Sequence, residues 1–194
     1  MKTDRGGGAN EFASIAADPV RWITNALSFE VVARHLYEAL LDLQEDYMRT
    51  GGSSWSDEVK RFVTGSAQAC QHLAAVAIEL SCKSIFVADG RMRVEGDSLT
   101  FASREMKAHS VSQMIAMAGL TPLDERLADR LDAIAKWAGC YPSPLSQAHF
   151  NSEALRGAAE LLNYARTSIA SADSKLKIVL GKRLTTPKPI ESET

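Results

Sequence analysis

Apolar residues recur at steps of three and four along much of this chain, which is the period of an amphipathic α-helix. The first long run begins after Asp18 and Pro19, a capping residue and a residue that tolerates the first helical position, and ends at Gly51. The pattern predicts one long helix between these signals, with an apolar face made by Phe29, Val32, Leu36, Leu40, Leu43 and Tyr47.

A second long helix is predicted from Ser56 to Gly90. Its second half, from Leu73 to Ala88, is apolar almost all round, which is typical of a helix buried in the middle of a bundle. Glu79 and Lys83 interrupt this run, in the order and spacing that favour an ion pair. Because an unpaired charge there is costly, we expect them to pair with each other or with a polar neighbour. The run is too short and too charged to span a bilayer.

Shorter elements follow the second helix. Residues 90–100 have no helical period and are rich in Gly, Asp and Arg, which indicates a loop or a small hairpin. A third helix is predicted from Ser103 to Gly119. A fourth is predicted to start at Thr121, where a cap, a Pro in the first turn and Asp124 come close to a capping box.

The last helix, predicted from near Ser152 to Gly181, has the most regular apolar pattern of the chain. Its apolar positions alternate steps of three and four, and Ala at every second position allows close packing against another helix. The partner helix can belong to the same chain or to a second copy. The seam consists of Leu155, Ala158, Leu162, Ala165, Ile169, Ala172, Leu176 and Val179.

Composition fits a single globular domain, since 45% of the 194 residues are hydrophobic and 24% are charged. No segment alternates apolar and polar residues long enough to form a credible sheet. We therefore predict an all-α bundle of about five helices over residues 18–183, with the segment from Leu73 to Ala88 at its centre. Residues 1–17 are predicted to be a flexible tail, and residues 184–194 a disordered one.

The formal net charge of −2 argues against strong whole-surface attraction to nucleic acid or to an anionic membrane. The C-terminal end is nevertheless basic. Two interpretations stay open: the patch holds nucleic-acid phosphates, or its cations suit the end of a helix and keep a tail solvated. The patch consists of Lys175, Lys177, Lys182, Arg183 and Lys188.

Cysteines and motifs narrow the chemistry. Cys70, Cys82 and Cys140 are an odd number at wide spacing, as in free thiols of a reducing cytosol. No apolar leader follows the first Lys, so we expect a cytoplasmic protein. No His has a Glu three positions before it, and phosphate-loop, nucleophile-elbow and His-Glu-x-x-His motifs are missing. We therefore expect no metal and no cofactor.

Three short motifs occur in a characteristic order over about residues 57–183. They are Glu79 and Lys83 in the buried helix, Lys107 and His109 near the next one, and Trp137, Gly139, Cys140, Tyr141 and Pro142 after the following one. In this order and spacing they resemble the HEPN superfamily of small prokaryotic helical bundles. The resemblance implies the same helical fold and a homodimer.

Many HEPN proteins are metal-independent ribonucleases with an Arg followed, after four to six residues, by a His. Arg104 and His109 match this spacing. The resemblance implies that His109 serves as acid or base on the ribose 2′-hydroxyl, while Arg104 stabilises the pentavalent phosphate. Lys83, Lys107 and Tyr141 are assigned to substrate binding. The alternative for the pair is a surface Arg and a His with a structural hydrogen bond.

Cys140 stands where the resemblance leads us to expect an Arg, so this chain lacks a bidentate phosphate donor at that position. Lost activity or a changed ligand is the expected consequence. Cys140 is otherwise a nucleophile, with His109 or His149 as base, or a buried inert thiol in a Pro-rich turn.

These features predict a HEPN-like cytoplasmic homodimer of a prokaryotic defence or toxin–antitoxin type system. It would bind RNA or a nucleotide-bearing partner, and it is a candidate metal-independent endoribonuclease. The alternative is a catalytically silent helical module that assembles with a partner protein through the seam of the last helix. A third hypothesis, a small-molecule regulator, needs a pocket among Met106, Met114 and Met117.

Overall fold

The structure is a computed structural model that describes residues 6–51, 54–95, 98–103, 110–138 and 153–185. Helices dominate these residues, and one antiparallel two-stranded hairpin interrupts them. The prediction of an all-α bundle is confirmed. In chain order the elements are α1 (Gly6–Ala16), α2 (Pro19–Thr50), α3 (Asp57–Ala88), β1 (Met92–Glu95), β2 (Ser98–Phe101), α4 (Val111–Ala118), α5 (Glu125–Ala138) and α6 (Glu153–Thr185).

Helix α3 is the centre of the bundle. Ser56 is its N-cap and accepts a hydrogen bond from the Val59 amide at 3.3 Å, as the sequence predicts. Helices α2, α4, α5 and α6 all pack against it. The predicted burial of the segment from Leu73 to Ala88 is confirmed by its fully buried side chains, which include Ala74, Ala77, Ile78, Cys82 and Phe86.

Helix α2 packs antiparallel to α3, but not with the whole face that was predicted. The Cys70 thiol of α3 donates to the Ala33 carbonyl oxygen at 3.3 Å, and Ala26 and Ala33 are fully buried. These small residues let the two backbones approach closely. Phe29 and Val32, predicted on the packed apolar face, are instead 37% and 50% exposed. The pattern could not select the buried face, because α2 is apolar on more than one side.

Helix α6 runs parallel to α3 and therefore antiparallel to α2. Near its start, Arg130 of α5 covers Gly157 and donates from Nη2 to Gln71 Oε1 of α3 at 3.1 Å. Further along both helices, the charge of Lys175 acts on the thiol of Cys82. An ideal Cβ on Gly157 would lie 2.0 Å from Arg130 Cζ, so any larger residue there would displace the Arg130 guanidinium.

The apolar seam of α6 is used inside this chain. Helices α3 and α2 cover it, which answers the question that the sequence left open. The helix ends at Thr185, so the prediction that Gly181 ends it is wrong; Gly181 has no positive φ. Residues 186–194 lie outside the described part of the chain. The buried seam positions are Ala158, Leu162, Ala165, Ile169, Ala172 and Leu176.

Helix α4 begins later than the sequence predicts. The expected start was Ser103, whereas the helix begins at Val111 with an extended Ser110 as N-cap (φ −87°, ψ 95°). The cap contacts come from Asp132 of α5, a residue distant in sequence. The predicted end is confirmed, because Gly119 adopts the left-handed conformation with φ 63°.

Helix α5 also begins slightly later than predicted. Its cap is Asp124, whose Oδ1 accepts from the Leu127 amide at 2.9 Å, and the helix starts at Glu125. Thr121, the predicted cap, instead offers its carbonyl oxygen to the Tyr164 hydroxyl. A carboxylate is a stronger helix cap than a threonine hydroxyl, so the helix starts at the acid.

The N-terminal part of the domain differs from the predicted flexible tail. Residues 6–16 form α1, and the Trp22 indole donates to the Ala16 carbonyl oxygen at 2.9 Å. This contact joins the end of α1 to the start of α2. Strands β1 and β2 form the small hairpin that was one of the two alternatives predicted for residues 90–100, with buried Met92 opposite Phe101.

Helix α3 is long and apolar enough to cross a membrane, judged by length and composition alone. Within the relevant stretch, 61% is buried inside the protein. A central core helix passes the same test, and α3 is such a helix. Among the described residues it is the only helix that does so.

Candidate functional site

One residue of the predicted site lies in the part of the chain that the structure describes. Lys83 belongs to the middle of α3. The described part of the site is therefore built from α3 and from the elements that flank residues 104–109 in sequence. The other predicted residues lie outside the described ranges: Arg104, Lys107, His109, Cys140 and Tyr141.

Lys83 forms the ion pair that its spacing predicts. Its Nζ donates to Glu79 Oε1 one turn earlier, and the two side chains are 18% and 17% exposed. The Trp22 ring lies beside the ammonium, with 5.8 Å between Nζ and the ring centroid, which is within cation–π distance. An ammonium has three donors and the ion pair uses one, so Lys83 keeps the capacity to bind an anion.

His72 lies on the same side of α3, because it precedes Glu79 by two helical turns. It is partly buried, and its Nδ1 has no hydrogen-bond partner among the described residues. Burial lowers the pKa of His72 below its usual value, and the negative charge of Glu79 acts in the opposite direction. The imidazole is therefore neutral at pH 7 and can accept a proton or a hydrogen bond.

We call His72, Glu79, Lys83 and Trp22 the α3 polar cluster. It places a cation, an anion, a neutral imidazole and an aromatic ring on one side of an otherwise apolar helix. Lys83 can hold an anionic group and His72 can exchange a proton, at two points about 16 Å apart along the helix. Sequence reasoning missed His72 because it tested this residue only as a metal ligand and looked for acid–base roles only at His109 and His149. The two-turn spacing between His72 and Glu79 is the signal that could have found it.

The cluster is not a metal site. Within the described ranges, no group of three or more His, Cys, Asp or Glu side chains is arranged to hold a metal ion. Lys83 occupies Glu79, and a cation near that carboxylate would meet the ammonium charge. The cluster therefore suits a phosphate or another anion better than a metal.

Asp132 of α5 fixes the start of α4, which directly follows residues 104–109. Its Oδ1 accepts from the Ser112 amide at 2.9 Å, while Oδ2 accepts from the Ser110 hydroxyl at 3.0 Å and from the Ser112 hydroxyl. A carboxylate at a helix N-terminus satisfies a free amide and suits the positive end of the helix dipole. Asp132 thus determines where α4 begins.

Two cations hold the other end of α4. Arg91 Nη1 donates to the Met117 carbonyl oxygen at 2.6 Å, and Lys175 Nζ donates to those of Ala118, at 2.8 Å, and Gly119. These are the acceptors that a helix leaves without partners at its negative end. Helix α4 is therefore anchored at both ends by charges of the matching sign.

The basic C-terminal patch is partly committed to such structural contacts. Lys175 caps α4, and Lys177 Nζ donates to Asp173 at 2.7 Å. The side chains of the other three basic residues lie outside the part of the chain that the structure describes. The two described lysines thus favour the structural interpretation of the patch over phosphate binding.

Cys70 and Cys82 are free and buried, as the sequence predicts. Burial raises the pKa of each thiol to about 12. Both are protonated at neutral pH, and since the thiolate is the nucleophile, neither is reactive. The proposed nucleophilic role of Cys140, with its candidate bases His109 and His149, falls outside the described residues.

The methionines suggested as a ligand pocket are part of the core where they are described. Met114 is fully buried, and Met117 packs against the core cluster. Met106 lies outside the described residues. The two described methionines fill space inside the bundle.

Comparison of the chain with protein-family models, with curated proteins and with solved structures found no match.

Proposed function

We propose that this chain is a HEPN-like cytoplasmic protein of a prokaryotic defence or toxin–antitoxin type system that binds RNA as a homodimer. In this proposal Arg104 and His109 cleave RNA without a metal or cofactor. His109 acts as acid or base on the ribose 2′-hydroxyl, and Arg104 stabilises the charge on the phosphate. Lys83, Lys107 and Tyr141 contribute to RNA binding.

The α3 polar cluster is the observation that carries the proposal. A mostly buried ion pair contributes little net stability, because the loss of hydration offsets the attraction of the two charges. Its presence in the centre of an apolar helix therefore favours a role in function. Glu79 and Lys83 also occupy the positions selected by the motif resemblance, and His72 adds an imidazole to the same side.

The anchoring of α4 supports the same proposal. His109 immediately precedes Ser110 in the sequence, and Asp132 gives Ser110 a defined position through hydrogen bonds. A catalytic side chain needs a supporting structure that holds it within a fraction of an ångström. A residue next to such an anchor is well suited to catalysis.

The test is cleavage of a fluorescent single-stranded RNA in EDTA by wild type, Arg104→Ala and His109→Ala. We expect cleavage by wild type and a loss of about 100-fold or more in either variant, the usual contribution of an acid–base group. His35→Ala, which removes an exposed His of α2, is the matched control and should cleave normally. Undiminished cleavage by His109→Ala contradicts the assignment, and so does a wild type that neither binds nor cleaves RNA.

A second candidate function is a catalytically silent module that assembles with a partner protein. The seam of α6 is already covered within the chain, so this function needs another surface, and α2 provides one. Large apolar side chains that are more than a third exposed are what such a partner would cover. On α2 they are Val20, Leu27, Phe29, Val31, Val32 and Leu41. Assembly with no RNA binding and no effect of His109→Ala would favour this function.

A further inference from the structure

Helices α2 and α6 enclose a shallow groove of about 320 Å³. Its walls are mainly apolar, and the buried Glu30 side chain closes one part of it by accepting a hydrogen bond from Arg166 Nε at 2.7 Å. The residues that define this α2–α6 groove are Ile23, Leu27, Glu30, Arg166, Ile169 and Asp173.

An exposed apolar strip runs along the edge of this groove. Val20, Leu27 and Val31 are all more than a third exposed and follow one another at helical spacing on one side of α2. Leu27 also lines the groove, so the strip and the groove form one continuous apolar surface. We call these three residues the α2 strip. A surface of this kind is expected to be covered in the working protein.

The charged residues beside this surface have complementary order on the two helices. On α2, Arg34 is followed one turn later by Glu38, a positive charge and then a negative one. On α6, Asp173 is followed one turn later by Lys177, a negative charge and then a positive one. Each pair is an ion pair within its own helix, at 3.4 Å for Arg34 and Glu38 and at 2.7 Å for Lys177 and Asp173, and all four side chains are at least 32% exposed. A contact with another molecule would therefore exchange the partners of these charges.

The directions of α2 and α6 allow the charged residues on α2 of one copy to face residues of opposite charge on α6 of a second copy. Helix α6 is antiparallel to α2, so an α2 from a second copy, antiparallel to the first, lies parallel to α6. Glu30 of α2 contacts Arg166 of α6, so these two positions lie side by side on the antiparallel helices. Asp173, seven residues after Arg166, therefore lies beside Ile23, seven residues before Glu30. When Arg34 of the second copy lies at that level, it faces Asp173, and Glu38 faces Lys177 one turn further along. The α2 strips of the two copies then meet around the two-fold axis.

We propose that the α2–α6 groove is the homodimer interface, with the α2 strip of each copy packed against the groove of the other. Arg34 and Glu38 of one copy form ion pairs with Asp173 and Lys177 of the other. The occupant is a second copy because this chain itself presents both halves of the complementary charge order, as an isologous interface requires. The inference rests on the homodimer of the proposed function and does not require RNA cleavage.

The register fixes how much of α2 the two copies share. With Arg34 of one copy level with Ile23 of the other, residues 19–38 of the two α2 helices overlap, which is about 30 Å of helix at 1.5 Å per residue.

The main test compares Val31→Glu with Val32→Glu by sedimentation equilibrium of the full chain. The two substitutions are identical and adjacent, but Val31 belongs to the α2 strip and Val32 points about 100° away around the helix. We expect a wild-type dimer, a rise in the dimer Kd of about 100-fold or more for Val31→Glu, and a change within about 3-fold for Val32→Glu. Circular dichroism melts establish that both variants are folded.

A charge exchange tests the register of the two copies. Lys177→Glu and Glu38→Lys should each raise the dimer Kd about 3- to 10-fold, and the double variant should recover most of the loss. Failure of the double variant to recover overturns the register. A wild type that is monomeric at about 100 µM, or equal effects of Val31→Glu and Val32→Glu, overturns the interface.

These outcomes are distinct from those of the RNA experiment. A monomer that cleaves RNA in a His109-dependent manner would overturn the interface and leave the RNA activity standing. A dimer that Val31→Glu dissociates, in a protein without RNA activity, would support the interface and overturn the proposed function.

Discussion

Removal of the Asp132 carboxylate is expected to destabilise the protein by about 2–3 kcal/mol. A helix N-cap contributes about 1 kcal/mol, and hydrogen bonds from two hydroxyls to a charged, partly buried acceptor add about 1–2 kcal/mol. In Asp132→Ala, the Ser112 amide and the hydroxyls of Ser110 and Ser112 lose this acceptor. The start of α4 should loosen as a result.

Urea and thermal unfolding followed by circular dichroism measure this loss, with Asp129→Ala as the matched control. Asp129 lies on the same helix and is exposed, so its substitution removes the same charge without removing the cap. We expect a melting temperature about 5–10 °C lower for Asp132→Ala than for the control. Hydrogen exchange of the α4 amides should also accelerate. Equal stability of the two variants, within about 0.5 kcal/mol, would refute the capping argument.

Three further predictions concern other contacts. Because burial lowers the pKa of His72, the folded state binds the imidazole proton less tightly than the unfolded state, so the free energy of unfolding should fall as pH drops below about 6.5. Urea titrations of His72→Gln should show a smaller fall than those of wild type. An equal fall in both proteins would contradict the assignment to His72. Lys175→Ala should lower the free energy of unfolding in urea by about 1–2 kcal/mol, because Lys175 caps α4. Lys177→Ala should lower it by less than about 0.5 kcal/mol, because Lys177 forms only an exposed ion pair. Equal losses would count against the capping role of Lys175. Gly157→Ala displaces the Arg130 guanidinium from Gln71 but adds helix propensity, so its net effect in thermal melts should stay within about 1 kcal/mol, and a loss above about 2 kcal/mol would show that Arg130 cannot move.

Features governed by neighbours in the sequence were predictable. The Ser56 cap, the Glu79–Lys83 ion pair and the left-handed Gly119 each depend on residues within four positions of one another. The burial of α3 was predictable as well, because a helix that is apolar almost all round has no solvent-facing side.

Features governed by distant residues were not predictable. Asp132 caps α4 across 20 residues, which moved the start of α4 away from Ser103. The buried face of α2 is selected by how closely the alanines, such as Ala33, approach α3, and the larger apolar residues of α2 gave a misleading preference. The sequence could not show which helices cover the seam of α6, because this depends on the direction in which α3 and α2 pack against it.

In the candidate site, too, contacts between sequence neighbours were predictable and contacts between distant helices were not. The ion pair between Lys83 and Glu79 was predictable because the two residues lie one helical turn apart. The contact between Lys83 and Trp22 was not, because it depends on how α2 crosses α3. The unpaired Nδ1 of His72 likewise depends on burial by several elements. A sequence can name such residues, and packing decides which of them share one environment.

The affinity for single-stranded RNA is the direct measure of the proposed function. Fluorescence anisotropy of a labelled single-stranded RNA in EDTA should be measured with wild type, Arg104→Ala and Lys107→Ala over a range of salt concentrations. We expect wild type to bind the RNA with an affinity that falls as salt rises, because phosphate contacts release counterions. Either variant should bind with an affinity about 10-fold or more lower. An anisotropy that stays at the value of free RNA up to about 100 µM wild type would contradict the account.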